Sequence, residues 1–306
     1  MSYLYCFLIK LLYYVVFISN VSCNQIDCLD TSSGDMCIKG FSPVKTHFRF
    51  VPTYKINFCA IPKDFSSIIR SVACYLENPD LNITDHLTSS KWIRKTCEHN
   101  NYASSLKFLF RKLKIKNEVR FFKNWKQITV VRDPIERFIS SFTNKCILST
   151  DKDDPDYCYN CGSKLKCLVK RLYKKLKQRI TNRNGTYMTT YTDAHFFPQS
   201  WHCEFNTTRR YFKILKFDPA NETSLEIFYD QFFNELSLIK VPDKIINVFK
   251  YQLKHNLTIH STTGTDERIK ISNKVYKNSK ILETLVKIYY QDFITFNFEF
   301  PDYEYD

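Results

Sequence analysis

Two short segments of the chain place a basic side chain and hydroxyl side chains where a strand pattern changes into a helix pattern. In the first, Lys63, Ser66 and Ser67 follow a β-branched and aromatic run over residues 55–61 and open a helical pattern over residues 66–76. A helix N-terminus offers free backbone N–H groups and the positive end of the helix dipole, and both attract anions. This segment therefore predicts a phosphate-binding loop, although the Walker spacing is absent.

The second segment has the same layout. Residues 127–131 are typical of a buried parallel strand, and residues 134–142 carry apolar side chains at helical spacing. Arg132 leaves the strand end, and Ser140 follows eight positions later. Because open α/β folds bind ligands at the carboxyl ends of their strands, a second phosphate could bind here. An alternative is that Arg132 or Arg137 forms a structural ion pair with a neighbouring carboxylate.

Strand patterns alternate with helix patterns along the rest of the chain. Residues 211–218 predict a third strand, residues 224–236 a helix after it, and residues 280–296 a last amphipathic helix. Strands separated by helices predict parallel pairing with crossover connections. We expect a three-layer α/β domain over residues 51–306, with a P-loop-like central parallel sheet.

The N-terminus predicts entry into the secretory pathway. Residues 1–23 are apolar and aromatic, which is typical of a signal peptide or a type II signal-anchor, and residues 24–50 would form a luminal stem. Five N-glycosylation triplets agree with that compartment: Asn82, Asn184, Asn206, Asn221 and Asn256.

Cysteine usage predicts disulfides. Of the 12 cysteines, Cys6 and Cys23 belong to the leader, and an even number remains for a luminal domain. The cluster of Cys158, Cys161 and Cys167 leaves a zinc site or a redox-active pair as alternatives.

A formal net charge of +14 predicts attraction to polyanions. The basic blocks at residues 107–116 and 166–179 are either solvated faces of amphipathic helices or parts of a polyanion-binding surface. Nucleotide phosphates, acidic glycans, nucleic acid and anionic membranes are all compatible with the charge alone.

The two loop segments resemble the nucleotide-binding motifs of sulfotransferases that use 3′-phosphoadenosine 5′-phosphosulfate (PAPS). IPKDFSS is similar to their 5′-phosphosulfate loop, and VVRDPIERFISSF to their 3′-phosphate motif, especially in the Golgi carbohydrate group that includes chondroitin 4-O-sulfotransferases. The resemblance implies that Lys63 contacts the 5′-phosphosulfate and the bridging oxygen with help from Ser66 and Ser67. It implies that Arg132 and Ser140 hold the 3′-phosphate. No metal is expected, because two basic loops can hold PAPS unaided.

Phe65 departs from the family pattern, because many sulfotransferases have glycine before the hydroxyl pair. Glycine permits unusual dihedral angles and close backbone approach. Phe65 therefore implies a different loop path or weaker binding of the nucleotide.

Sulfuryl transfer also needs a base for the acceptor hydroxyl, and histidine is the residue type whose pKa suits this role. His195, in a family-like aromatic segment, is the preferred catalytic base beside Lys63. The competing candidates are Asp193, His202, His99 and Glu77. Gln199 and Trp201 could form a wall of the acceptor site. In similar families a loop near the end of the domain closes over the nucleotide, and the candidates for this role are His260, Ser261, Thr262 and Arg268.

The predicted function is transfer of the PAPS sulfuryl group to a carbohydrate hydroxyl, in the Golgi lumen or after secretion. The expected partner is an anionic glycan or proteoglycan such as chondroitin, with no role for nucleic acid. Two alternatives stay open: a secreted glycan- or nucleotide-binding pseudoenzyme, and a nucleotide-dependent kinase that uses the Lys63 loop.

Overall fold

The computed structural model describes residues 36–40, 44, 46–78, 101–149, 157–181, 189–255 and 261–302. The predicted leader and most of the predicted stem lie outside these residues, and so do Asn82, Asn184 and Asn256. Within the described part of the chain, no helix is both long enough and apolar enough to cross a membrane.

A five-stranded mixed sheet forms the centre of the fold, in the order β3-β1-β2-β4-β5. Its strands are β1 (Phe48–Val51), β2 (Ile56–Cys59), β3 (Tyr102–Ala103), β4 (Lys126–Val131) and β5 (Phe212–Lys216). The helices of the described residues are α1 (Ser66–Glu77), α2 (Leu106–Lys112), α3 (Glu118–Asn124), α4 (Pro134–Phe142), α5 (Leu165–Thr181), α6 (Tyr191–Phe196), α7 (Phe205–Thr208), α8 (Glu222–Leu238), α9 (Asp243–His255), α10 (Asp266–Tyr276) and α11 (Ser279–Phe296).

The α/β class is confirmed, while the sheet is only partly parallel. Strands β2, β4 and β5 are parallel neighbours. Strand β1 runs antiparallel to both β2 and β3. A single short turn, Pro52–Tyr54, joins β1 to β2, and a connection of that length can link only antiparallel strands. The sheet thus begins at Phe48, within the segment predicted as stem.

The predicted repeating units are present with small changes at their ends. The run at 55–61 forms β2 followed by α1, the run at 127–131 forms β4 followed by α4, and the run at 211–218 forms β5 followed by α8. The predicted last helix is α11.

Alternating side chains attach a helix layer to each face of the sheet. Ile128 and Val130 of β4 pack against α1, α8 and α9 on one face. Val131 and Phe212 lie in a cluster on the opposite face that includes α2, α3 and α7. A third cluster joins α4, α5 and α11. This is the three-layer arrangement expected for the α/β class.

Disulfides account for the cysteine cluster. Cys146 pairs with Cys158, and Cys161 pairs with Cys167. The zinc interpretation of this cluster is therefore wrong, because all three of its sulfurs are in disulfides. Cys158 and Cys161 bond to different partners, so they do not form a CxxC disulfide with each other. A further bridge, Cys59–Cys203, ties the end of β2 to the segment after α6.

Candidate active site

The Lys63 loop connects the end of β2 to the N-terminus of α1 through unusual backbone conformations. Lys63 has φ 74° and Phe65 has φ 61°, both in the left-handed region. An L-residue adopts this region at a cost that glycine avoids. The Phe65 ring is buried against Phe217, Phe228, Tyr229 and Phe232, with ring centroids 5.0–6.2 Å away. Aromatic packing thus holds the conformation that glycine adopts freely.

A buried arginine of α4 holds this loop in place. Arg137 of α4 lies 3.3 Å (Nε to Oδ2) from Asp64, and both side chains are buried. Arg137 also donates to the Pro62 carbonyl at 3.0 Å and to the Phe197 carbonyl at 2.9 Å. Burial raises the pKa of Asp64, and the Arg137 charge opposes that rise. Arg137 is therefore a structural residue that joins the Lys63 loop to α4.

Arg132 is positioned by Gln199. The Gln199 side chain accepts from the Arg132 backbone N–H at 2.9 Å and donates to the Arg132 carbonyl at 2.8 Å. Gln199 is itself held by Asp292 of α11, which accepts from its backbone N–H at 2.7 Å. Gln199 and Trp201 are buried, so the prediction that they form an acceptor wall is wrong.

The Arg132 guanidinium is buried and has hydrogen-bond donors without an acceptor among the described residues. Only 4% of the residue is exposed, and among the described residues its Nε and Nη2 have no hydrogen-bond acceptor. Glu136 lies 3.8 Å from Nη2, so the expected ion pair exists but is long. Burial and the nearby Arg268 charge lower the pKa of Arg132 to about 10. A buried cation with unused donors is stabilised by an anion.

The five predicted nucleotide-binding residues lie together in one cavity. Lys63, Ser66, Ser67, Arg132 and Ser140 all line it. We call this the first cavity.

The first cavity has an apolar end. Phe65, Phe217, Leu225, Tyr229 and Leu253 supply its apolar wall.

Residues 261–263, which follow α9, also line the first cavity. Thr262 contacts Ser140 at 3.3 Å between hydroxyl oxygens, and Arg268 donates to the Thr262 hydroxyl at 3.5 Å. Arg268 also pairs with Glu136. Ser261 and Thr262 were predicted for this place, whereas Arg268 supports the loop through these contacts. His260 lies outside the described residues.

A second cavity opens on the other side of Lys63. Lys63, Ser66 and Ser67 line both cavities. The remaining polar lining of the second cavity is mostly basic or aromatic: His47, Arg49, Arg70, Asn144, Lys145, Tyr191 and His195. The Lys63 loop is therefore the junction of two sites that could hold two reactants.

His195 lies in the second cavity in a defined tautomer. Its Nδ1 is 2.8 Å from the Tyr191 carbonyl oxygen, which can only accept. Nδ1 therefore carries the proton, and Nε2 has a free lone pair. Burial and the Lys145 charge lower the pKa of His195 well below its usual value, so the ring is neutral near pH 7. Such a group can act as a general base.

Sequence comparison assigns the chain to a family. The model of the Sulfotransferase family matches residues 46–299. The chain belongs to the sulfotransferase family. It is similar to "Carbohydrate sulfotransferase chst-1" of Caenorhabditis elegans, with 29% identity over 276 residues, covering 87% of this chain and 80% of that protein. It is also similar to "Uncharacterized protein C18B2.2" of the same organism, with 26% identity over 272 residues, covering 88% and 73%. No solved structure matches the chain.

Within this sulfotransferase the competing base candidates do not line either cavity. Asp193 caps α6 and pairs with Lys175 at 2.7 Å. His202 is fully buried, and Glu77 lies at the end of α1. His99 lies outside the described residues. Among the described candidates, His195 is thus the one that reaches the sulfotransferase cavities.

Several residues of the sulfotransferase site were not predicted. His47, Arg70, Lys145 and Tyr191 come from separate parts of the chain and meet only in the second cavity. Phe217 could have been predicted as a site residue from the sequence. It directly follows β5, and ligands bind at the carboxyl ends of parallel strands.

Proposed function

We propose that the protein transfers the sulfuryl group of PAPS to a hydroxyl of a carbohydrate. The observation that carries the proposal is the shared lining of the first cavity by Lys63 and Arg132, with Ser66, Ser67 and Ser140 beside them. Two strand-to-helix junctions thereby present two cationic groups to one ligand. A nucleotide with a phosphate at each end of its ribose satisfies both.

The first cavity suits the parts of PAPS in order. Arg132 has buried, unused donors for the 3′-phosphate, with Ser140 next to it. Lys63 and the N-terminus of α1 suit the 5′-phosphosulfate. The apolar wall of Phe217, Leu225 and Tyr229 suits the flat adenine ring.

The second cavity suits the acceptor. His195 Nε2 would take the proton of the acceptor hydroxyl as its oxygen bonds to sulfur. The bond between sulfur and the bridging oxygen then breaks, and the nucleotide leaves with the electron pair. Lys63 would stabilise the negative charge that grows on that oxygen.

A carbohydrate acceptor follows from the name of the relative chst-1 and from the second cavity. Arg49, Arg70 and Lys145 line that cavity, which favours an anionic glycan such as chondroitin. Such acceptors are found in the Golgi lumen and outside the cell, where the apolar leader would direct the chain. No residue of this reaction calls for a metal.

Radiolabelled sulfate transfer from PAPS to a panel of glycosaminoglycans tests the function. Lys63→Ala and Arg132→Ala should each lower transfer by at least about 100-fold, because each removes a charge that binds or stabilises the reacting nucleotide. Lys277→Ala and Arg209→Ala, which remove exposed charges elsewhere, are the matched controls. Wild-type protein that binds the nucleotide product but transfers no sulfate would favour the pseudoenzyme instead. Unchanged transfer in both site variants would refute the site.

A further inference from the structure

Tyr191 is an exposed aromatic residue at the reaction centre. Its side chain lines the second cavity together with Lys63 and His195, and the residue is 56% exposed. Tyrosine combines an apolar ring with a polar hydroxyl, so an exposed tyrosine that lines a polar cavity can contact a ligand through both.

The neighbours of Tyr191 leave part of its ring open. The His195 ring lies 4.4 Å away between centroids and is tilted by 56°, so it touches the ring obliquely. Lys145 donates to the Tyr191 hydroxyl, and its Nζ is 4.7 Å from the ring centroid. His195 and Lys145 thus hold the ring in place, while 56% of the residue stays exposed.

We propose that Tyr191 is the platform on which the acceptor sugar ring stacks. The inference rests on the proposed function, since it assigns the binding of the acceptor to a particular side chain. A pyranose has apolar C–H faces and polar edges, and the C–H face packs well on an aromatic ring. A sugar held on Tyr191 would present its edge hydroxyls to His195, because the two rings are in contact.

A second tyrosine–histidine pair in the same protein has the same local geometry but lies outside both cavities. On α9, Tyr251 and His255 repeat the local geometry, with ring centroids 4.3 Å apart and His255 Nδ1 2.8 Å from the Tyr251 carbonyl oxygen. Tyr251 is 62% exposed but lines neither cavity. The pair itself is a local helix pattern, and only Tyr191 combines it with the reaction centre. Tyr251→Ala is therefore a matched control.

Calorimetric binding of oligosaccharides to the full chain, saturated with the desulfated nucleotide product, tests the platform without requiring turnover. The probes are an octasaccharide of unsulfated chondroitin and a neutral chitin hexasaccharide. Tyr191→Ala should weaken binding of the better probe about tenfold. Tyr191→Phe should restore most of the affinity because it keeps the ring, and Tyr251→Ala should match the wild type. Nucleotide affinity and thermal denaturation verify that each variant is folded.

Three results would overturn the platform: equal affinity in Tyr191→Ala and wild type, equal losses in Tyr191→Phe and Tyr191→Ala, or no binding of either probe by the wild type. Equal losses in the two variants would assign the effect to the hydroxyl and Lys145. Wild-type protein that binds an oligosaccharide through Tyr191 but transfers no sulfate would contradict the proposed function and leave the platform standing.

Discussion

Lys63 lies among other cations, and this sets the pH dependence expected for nucleotide binding. Burial, followed by the charges of Lys145, Arg132 and Arg268, lowers the pKa of Lys63 well below its usual value. Because the pKa of a lysine in the free site is depressed, its positive charge is lost as pH rises through that lower value. A bound phosphate favours the charged form and raises the pKa again.

The first prediction is that binding of the nucleotide product takes up a proton in a pH window below the ordinary lysine pKa. Affinity should fall as pH rises through this window, and calorimetry in buffers of different ionisation enthalpy measures the proton. Lys63→Ala should bind more weakly and without this uptake. A wild-type affinity that stays constant up to pH 10 would contradict the assignment.

The second prediction concerns His195. His195→Gln should lower kcat about 10²- to 10⁴-fold, the usual range for losing a general base. Because the pKa of His195 is depressed, the base becomes protonated only when pH falls below the ordinary histidine range, so the acidic limb of kcat should begin below about pH 6.5. The limb should vanish in the variant while nucleotide affinity persists. A wild-type limb centred above pH 7 would point to another base.

At the scale of elements, the turn between β2 and α1 is held by tertiary packing in place of a glycine. The left-handed conformation of Phe65 costs about 1–2 kcal/mol, whereas truncating a buried phenylalanine costs about 3–5 kcal/mol. Burial is therefore the larger effect. This explains how the loop keeps its path with an aromatic residue in the position that glycine often occupies.

The third prediction follows from these magnitudes. Phe65→Ala should destabilise the fold by about 3–5 kcal/mol, because alanine loses the packing and keeps the conformational cost. Phe65→Gly should destabilise it by about 1–2 kcal/mol less, because glycine adopts the left-handed conformation without that cost. Denaturant unfolding of both variants measures the difference. Alanine that is as stable as glycine at this position would show that the left-handed conformation is not the deciding factor.

At the scale of the whole molecule, the excess positive charge is distributed unevenly over the helices. Lys166, Lys170 and Lys174 are exposed on α5 at intervals of four residues, and they make no ion pair with another described residue. Spacing of four residues places side chains in one row along a helix. This row is a candidate surface for a long anionic acceptor.

The fourth prediction is that replacing Lys166, Lys170 and Lys174 by glutamate lowers the salt concentration that elutes the protein from immobilised chondroitin sulfate. Electrostatic attraction between exposed charges is weakened by salt, so the shift reports on charge at the contact. Replacing Lys244, Lys250 and Lys254 of α9 by glutamate makes the same change in net charge elsewhere. Equal shifts in both variants would mean that net charge, and no particular helix, governs binding.

The sequence by itself determined the local units of this protein. Apolar side chains recur about every second residue in a strand and every three to four residues in a helix, and this pattern depends only on neighbouring positions. It therefore predicted β2, β4, β5 and the helices that follow them. The segments around Lys63 and Arg132 could be recognised for the same reason. Each is one continuous junction of strand and helix.

Only the tertiary structure decided which distant residues meet. The pairing of Cys146 with Cys158, the role of Gln199 behind Arg132, and the Phe65 environment all depend on contacts between segments far apart in the chain. No local pattern encodes such contacts, because many arrangements of the same elements satisfy the same spacing. The second cavity, assembled around Tyr191 from separate segments, could be found only after the chain had been folded.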